Sequence, residues 1–114
     1  MEEEALIEVE DQGSTKIVKV IVGQLHMYHI PDFREQMGKI IQKRPPKIVL
    51  VLSSVQYLDS SAMGSLFQLQ KDIAAYAGEF VLVGINHTIA MVFKLTKSDQ
   101  HFLIYETLDE ALAD

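Results

Sequence analysis

The sequence predicts a single α/β domain over residues 1–114: a mixed, mostly parallel sheet of four to five strands, an N-terminal antiparallel hairpin, and four helices packed mainly on one face. Three observations carry this prediction. Two continuous apolar runs, residues 48–52 and 80–83, are too short for helices and rich in branched side chains, as strands covered on both faces are. Amphipathic helical periods alternate with them, an order that implies parallel neighbours joined by right-handed crossovers. At the start of the chain two alternating stretches flank turn residues. A length of 114 residues suits one core and not two.

Taken in order, residues 5–9 alternate apolar and acidic side chains, Asp11, Gln12, Gly13 and Ser14 are turn material, and residues 16–22 form the second arm of the hairpin. In that arm Lys16, Val18, Val20 and Val22 share one face, Ile17, Lys19 and Ile21 the other, and Gly23 ends it. Gln24, Leu25 and His26 read as loop. Pro31 and Asp32 open a helix whose stripe is Phe33, Met37, Ile40 and Ile41, and Pro45 and Pro46 stop it. The run Ile48, Val49, Leu50, Val51, Leu52 is a central strand, residues 53–57 connect, and a helix reaches to about Ala77, closed by Gly78 as a C-terminal glycine. Residues 80–83 are the next buried strand, and Asn86 caps a short helix over 88–95 that offers Ile89, Val92, Phe93 and Leu95 for burial. Ser98, Asp99 and Gln100 turn the chain, residues 102–105 form a last strand, and residues 107–113 a final helix opened by a Thr107–Glu110 capping box.

Composition excludes several function classes. The formal net charge of −6, with 10 Lys and Arg, argues against a general nucleic-acid binder. The group Lys39, Lys43, Arg44 and Lys47 reads as a solvated helix end. Without cysteine there is no disulfide framework, thiol nucleophile or thiolate metal site. No apolar segment is long enough to span a bilayer, and Glu2, Glu3 and Glu4 are the opposite of a basic signal-peptide start, so no membrane insertion and a cytoplasmic location are expected. No glycine-rich phosphate loop, Gly-x-Ser-x-Gly elbow or acidic magnesium cluster occurs, so the chain is not read as an enzyme and no cofactor is expected. His26 and His29 stand three apart, but no further ligand completes a site in sequence, and they read as loop histidines rather than as a metal centre.

The stretch that offers chemistry is Leu58, Asp59, Ser60, Ser61, Ala62, Met63, Gly64, at a strand-to-helix junction. The first N–H groups of a helix lack partners within it and its dipole is positive there, so Asp59 and Ser60 suit the cap and an anion is stabilised at that end. At roughly 100° per residue, Ala62, Met63, Leu66, Phe67, Leu69, Ile73, Ala74, Tyr76 and Ala77 fall on one half of the helix. Ser61, Ser65, Gln68 and Asp72 fall on the other, which turns the Ser61 hydroxyl to solvent. Two readings stay open here: Asp59, Ser60 and Ser61 simply cap a helix, or Ser61 is a hydroxyl that another protein's active site reaches. The edge Ala62, Leu69, Tyr76 is likewise either a docking surface or a contact within the domain.

In order, Asp59, Ser60, Ser61, Ala62, Met63 and Gly64 resemble the signature of the STAS-domain anti-sigma factor antagonists: Asp, Ser, a second Ser or Thr, a small residue, an apolar residue and Gly, after a strand and opening a helix. Ala62 stands where Gly is usual, and Gln24, Leu25, His26 where an acidic, apolar, acidic triplet is common. The resemblance implies a STAS-like fold and a phosphorylation-controlled switch in which Ser61, with Ser60 as second choice, is phosphorylated by a serine-kinase anti-sigma factor that brings its own ATP and magnesium. The unmodified chain would bind that kinase and free the sigma factor, and a serine phosphatase would reactivate it. Gln24, His26, Asp59, Ser60, Ser61 and Ser65 would make the partner contacts. The same resemblance also covers scaffold subunits of stress-sensing complexes and small subunits of lipid-transport assemblies, an alternative role for this chain.

Overall fold

The computed structural model describes residues 4–113; Glu2 and Glu3, counted in the acidic start, lie outside the described residues. The elements are β1 (Ile7–Gln12), β2 (Thr15–Val20), β3 (Gln24–Leu25), α1 (Ile30–Ile41), β4 (Lys47–Val51), β5 (Tyr57–Leu58), α2 (Ser60–Ala74), β6 (Glu79–Val83), α3 (His87–Leu95), β7 (Leu103–Tyr105) and α4 (Leu108–Ala113). Single 3-10 turns at Met27–His29 and Ser98–Gln100 join them. Five strands form one sheet in the order β1-β2-β4-β6-β7, antiparallel only between β1 and β2. The alternation around Gly13 thus gives the predicted hairpin, with Gly13 at φ 61, and the apolar runs give the central parallel strands.

Alternation along β4 divides the core. Ile48 and Leu50 join Phe33 and Met37 of α1, Ala62, Leu66, Leu69 and Ile73 of α2, and Ile89 and Phe93 of α3 in one large cluster. Val49 turns to the opposite face, where Val81, Val83 and Ala111 of α4 make a smaller one. Three helices therefore cover one face and α4 alone part of the other. Burying the apolar side of the central strands from both faces supplies most of the driving force, at roughly 25 cal/mol per Å² of apolar surface.

Local signals act where they were read. Thr107 Oγ1 accepts from Glu110 N at 3.2 Å while Glu110 Oε1 accepts from Thr107 N at 3.1 Å, the reciprocal capping box. Asn86 Oδ1 accepts from Ile89 N at 2.8 Å and caps α3. Lys47, counted in the basic group, lies at a strand start and is tied into the fold, donating to Ala111 O at 2.6 Å and standing 3.7 Å from Glu79.

The structure corrects several assignments. Gln24 and Leu25 are not loop: β3 pairs in parallel with β5, a two-stranded ribbon apart from the main sheet. The buried arc of α2 is narrower than the wheel suggested and centred on Ala62, Leu66, Leu69 and Ile73, so Phe67 and Ala74 are exposed and Ser65 is buried at 5% relative exposure. Ser65 follows Ala62 by three and precedes Leu69 by four, in line with that stripe; a hydroxymethyl is small enough to be enclosed there. The edge Ala62, Leu69, Tyr76 is spent inside the domain, with the first two buried and the Tyr76 hydroxyl donating to Pro45 O at 2.8 Å. In α3, Val92 and Leu95 are exposed and only Ile89 and Phe93 are buried. Helix α2 ends with Ala77, not Gly78, in the left-handed region at φ 65; Gly78 N donates to Ile73 O and Ala77 N to Ala74 O, both at 2.9 Å. Gly78 is needed for room, since a Cβ there would lie 2.6 Å from the Tyr76 ring and 2.8 Å from the Ile73 side chain.

Candidate functional site

The junction before α2 is built by a series of backbone ties. Leu52 N donates to Val83 O at 2.8 Å as the chain leaves β4, and Gln56 N donates to Gly23 O at 2.7 Å, which brings the connection under the β3 segment. The Asn86 side-chain amide donates to Gln56 O at 3.0 Å and Val55 O at 3.4 Å, so the residue that caps α3 also holds the connection that leads into Tyr57 and Leu58. Asp59 N then donates to Leu25 O at 3.2 Å.

Asp59 is the N-cap of α2 in extended backbone, φ −94. Its Oδ1 accepts from Ala62 N and its Oδ2 from Met27 N, each at 2.9 Å. One carboxylate thus both closes the helix start and holds the turn that follows β3. The Ala62 amide is the main cause of a carboxyl held below its ordinary value of 3.8; partial burial opposes this, while the Met27 and Ser61 amides and the nearby His26 imidazole reinforce it. A lowered native value adds stability that is complete above about pH 3.8 and fades as pH falls through the lowered value. Asp59→Ala is expected to cost about 0.5–2 kcal/mol at neutral pH, with the gap from the unsubstituted chain narrowing below about pH 4. Urea unfolding at pH 7 and pH 3 measures both gaps; equal gaps contradict this role.

Ser60 and Ser61 are both exposed. Ser61 is on the outer side of the first turn, as its position on the helix predicts, and Gln24 is exposed while His26 is half-buried beside them. The His26 ring stacks on His29 with centroids 4.2 Å apart and planes inclined by 21°, and meets Tyr28 edge-on at 5.6 Å. Planes so nearly parallel do not converge on one metal ion, and no group of three or more His, Cys, Asp and Glu among the described residues is arranged to hold one.

Beside the junction an open groove of about 330 Å³ is lined by Tyr57, Leu58, Asp59, Ser60, Met63, Val92 and Thr96. Tyr57 and Val92 are exposed large apolar residues on its walls, and Met27 and Tyr28 stand exposed on the adjoining turn. The site therefore offers two hydroxyls at a capped helix start, a carboxylate, an imidazole pair and an apolar hollow. Of the residues expected from sequence, Gln24, His26, Asp59, Ser60 and Ser61 come together here; Ser65 is buried below them. Sequence reasoning missed the Met27 amide, for which no side-chain signal exists, and the second role of Asn86, whose capping was legible.

The STAS domain model matches residues 7–111. A Thermotoga maritima protein provisionally named an anti-sigma factor antagonist is 36% identical over 76 residues, 67% of this chain and 67% of that one. The anti-sigma F factor antagonist of Paenibacillus polymyxa is 28% identical across 95% of this chain and 92% of its own. Among solved structures, an anti-sigma factor antagonist from Mycobacterium paratuberculosis has a TM-score of 0.84 at 29% identity, covering 94% of this chain and 90% of that one.

Proposed function

Since the chain belongs to the STAS domain family, we propose that it is an anti-sigma factor antagonist: a protein-binding switch that docks on a serine-kinase anti-sigma factor and frees the sigma factor while Ser61 is unmodified. The observation that carries this reading is an exposed Ser61 hydroxyl two residues beyond Asp59, the residue that caps α2, next to an apolar groove. Relatives named as anti-sigma factor antagonists support it.

In the modifying step the Ser61 oxygen attacks the γ-phosphorus of ATP held by the kinase. An oxygen–phosphorus bond forms, the bond to the departing ADP breaks, and the hydroxyl proton passes to a base on the kinase. The chain supplies the acceptor, and the partner supplies ATP and magnesium. The ester adds about −1.5 to −2 units of charge. That charge, set in a close interface, loses its water and repels any facing carboxylate, so the complex dissociates; a serine phosphatase restores the hydroxyl by hydrolysing the ester, water supplying the oxygen that leaves with the phosphorus as inorganic phosphate. The contact surface comprises Gln24, His26, Asp59, Ser60 and Ser61 with the groove beside them, and excludes the buried Ser65.

Sigma-factor release tests this reading. Unmodified chain added to a preformed complex of sigma factor and anti-sigma factor is expected to free the sigma factor, and chain phosphorylated at Ser61 to leave the complex intact. Equal release by the two forms contradicts the switch.

A further inference from the structure

Asn86 is engaged at both ends of its side-chain amide. Its Oδ1 accepts from Ile89 N at 2.8 Å and caps α3, while its Nδ2 donates to Gln56 O at 3.0 Å and to Val55 O at 3.4 Å. Capping alone does not require asparagine, since Ser and Asp serve a helix start about as well. Neither can supply the second half of the arrangement. A Ser hydroxyl has one proton and a shorter reach, and an ionised Asp has no proton to donate and would set an anionic oxygen against two carbonyls.

The link lands on a residue that is itself tied elsewhere. Gln56 N donates to Gly23 O at 2.7 Å, so the backbone of Gln56 joins the chain ahead of β3 to the start of α3. From there the chain runs straight through residues 57–59 into α2. Residues 57–60 and Met63 line one side of the groove beside Ser61, and Val92 and Thr96 of α3 line the other. Asn86, at the N-terminal end of α3, connects the two sides. Toward the far end of α3 the Thr96 hydroxyl turns back on its own segment, donating to Val92 O at 2.8 Å and lying 2.7 Å from Ser98 Oγ.

We propose that Asn86 is a positioning residue for the modification of Ser61: its amide sets how far α3 stands from the β5–α2 junction, and thereby how a kinase seated in the groove meets the Ser61 hydroxyl. This rests on the reading of Ser61 as the acceptor. Without the amide, Val55 O and Gln56 O lose their donor and the segment leading into Asp59 loses its tie to α3, while the Asp59 cap on Ala62 N and the Asp59 N bond to Leu25 O stay in place. Helix α2 therefore still starts at the same residue, but its first turn is free to shift relative to the opposite side of the groove. An error of that kind in the approach of two reacting groups lowers the rate within the docked complex rather than only the affinity.

The experiment measures phosphate transfer from ATP by a serine-kinase anti-sigma factor, with this chain as the varied substrate. Asn86→Ser keeps an oxygen for Ile89 N and removes the amide; its kcat is expected to fall about tenfold, and that of Asn86→Asp further. A smaller folded fraction alone raises the apparent KM and leaves kcat at saturation unmoved. Thr107→Ala, which removes the capping box of α4 away from the groove, should therefore keep the kcat of the unsubstituted chain. In NMR spectra of the chain alone, the amide signals of residues 57–59 should shift in Asn86→Ser while α3 keeps helical chemical shifts. The positioning role is overturned by an unchanged kcat in Asn86→Ser, by a kcat lowered as much in Thr107→Ala, or by amide signals of residues 57–59 that coincide with those of the unsubstituted chain. Failure of the acceptor reading shows separately: the unsubstituted chain itself then takes no phosphate on Ser61, and the proposal falls with it.

Discussion

Ser61→Asp is expected to weaken binding to the serine-kinase anti-sigma factor by about 100-fold, or ~2.8 kcal/mol. In the proposed complex a carboxylate at this exposed position would add a fixed charge between the docked surfaces, and no basic side chain of the first turn of α2 is there to neutralise it. Only part of a phosphate's effect is reproduced, because Asp carries one unit of charge and the ester up to two. Ser61→Ala, by contrast, should bind within a few-fold of the unsubstituted chain and accept no phosphate. Ser61 caps nothing: the bonds that start α2 belong to Asp59, so neither variant should lose appreciable stability. Calorimetric titration of both against the same partner separates a charge effect from a folding effect. An Asp variant that binds as tightly as the Ala variant contradicts an interface role for this hydroxyl.

Phe93→Ala is expected to cost about 3–5 kcal/mol, from lost burial plus the cavity left behind. Phe93 is fully buried, with its ring centroid 5.8 Å from Phe102, which in turn meets Phe67 at 4.9 Å and Phe80 at 6.4 Å. This cluster fastens α3 to the sheet, and α3 supplies one wall of the groove beside Ser60. Against a total stability of about 5–15 kcal/mol, the loss should lower the melting temperature by roughly 15 °C or more. Leu95→Ala, two residues on, should change stability by less than about 0.5 kcal/mol, because Leu95 is 78% exposed. Similar losses from both would mean that α3 packs through another face.

What sequence made legible follows from the range of the signals. The apolar runs at Ile48 and Phe80 give the central strands because burial from two faces leaves no polar residue in them. The helix starts at Asn86 and Thr107 were readable because capping acts over three residues, and the same logic gave Asp59. Ribbon β3–β5 was not readable: two residues contain no period, and the pairing joins segments 33 positions apart, Gln24 with Tyr57. That ribbon brings His26 and the Met27 amide to Asp59, so the site's electrostatics emerge only in the folded chain. The burial of Ser65 was missed because the wheel was weighted by Phe67, whose ring instead covers Phe102 from outside.

The most direct test of the central claim is to locate the phosphate by mass spectrometry after incubating the chain with ATP and a serine-kinase anti-sigma factor of the kind proposed as its partner. A single phosphate on Ser61 is predicted. Phosphate on Ser60 alone, or none on the junction before α2, would contradict it.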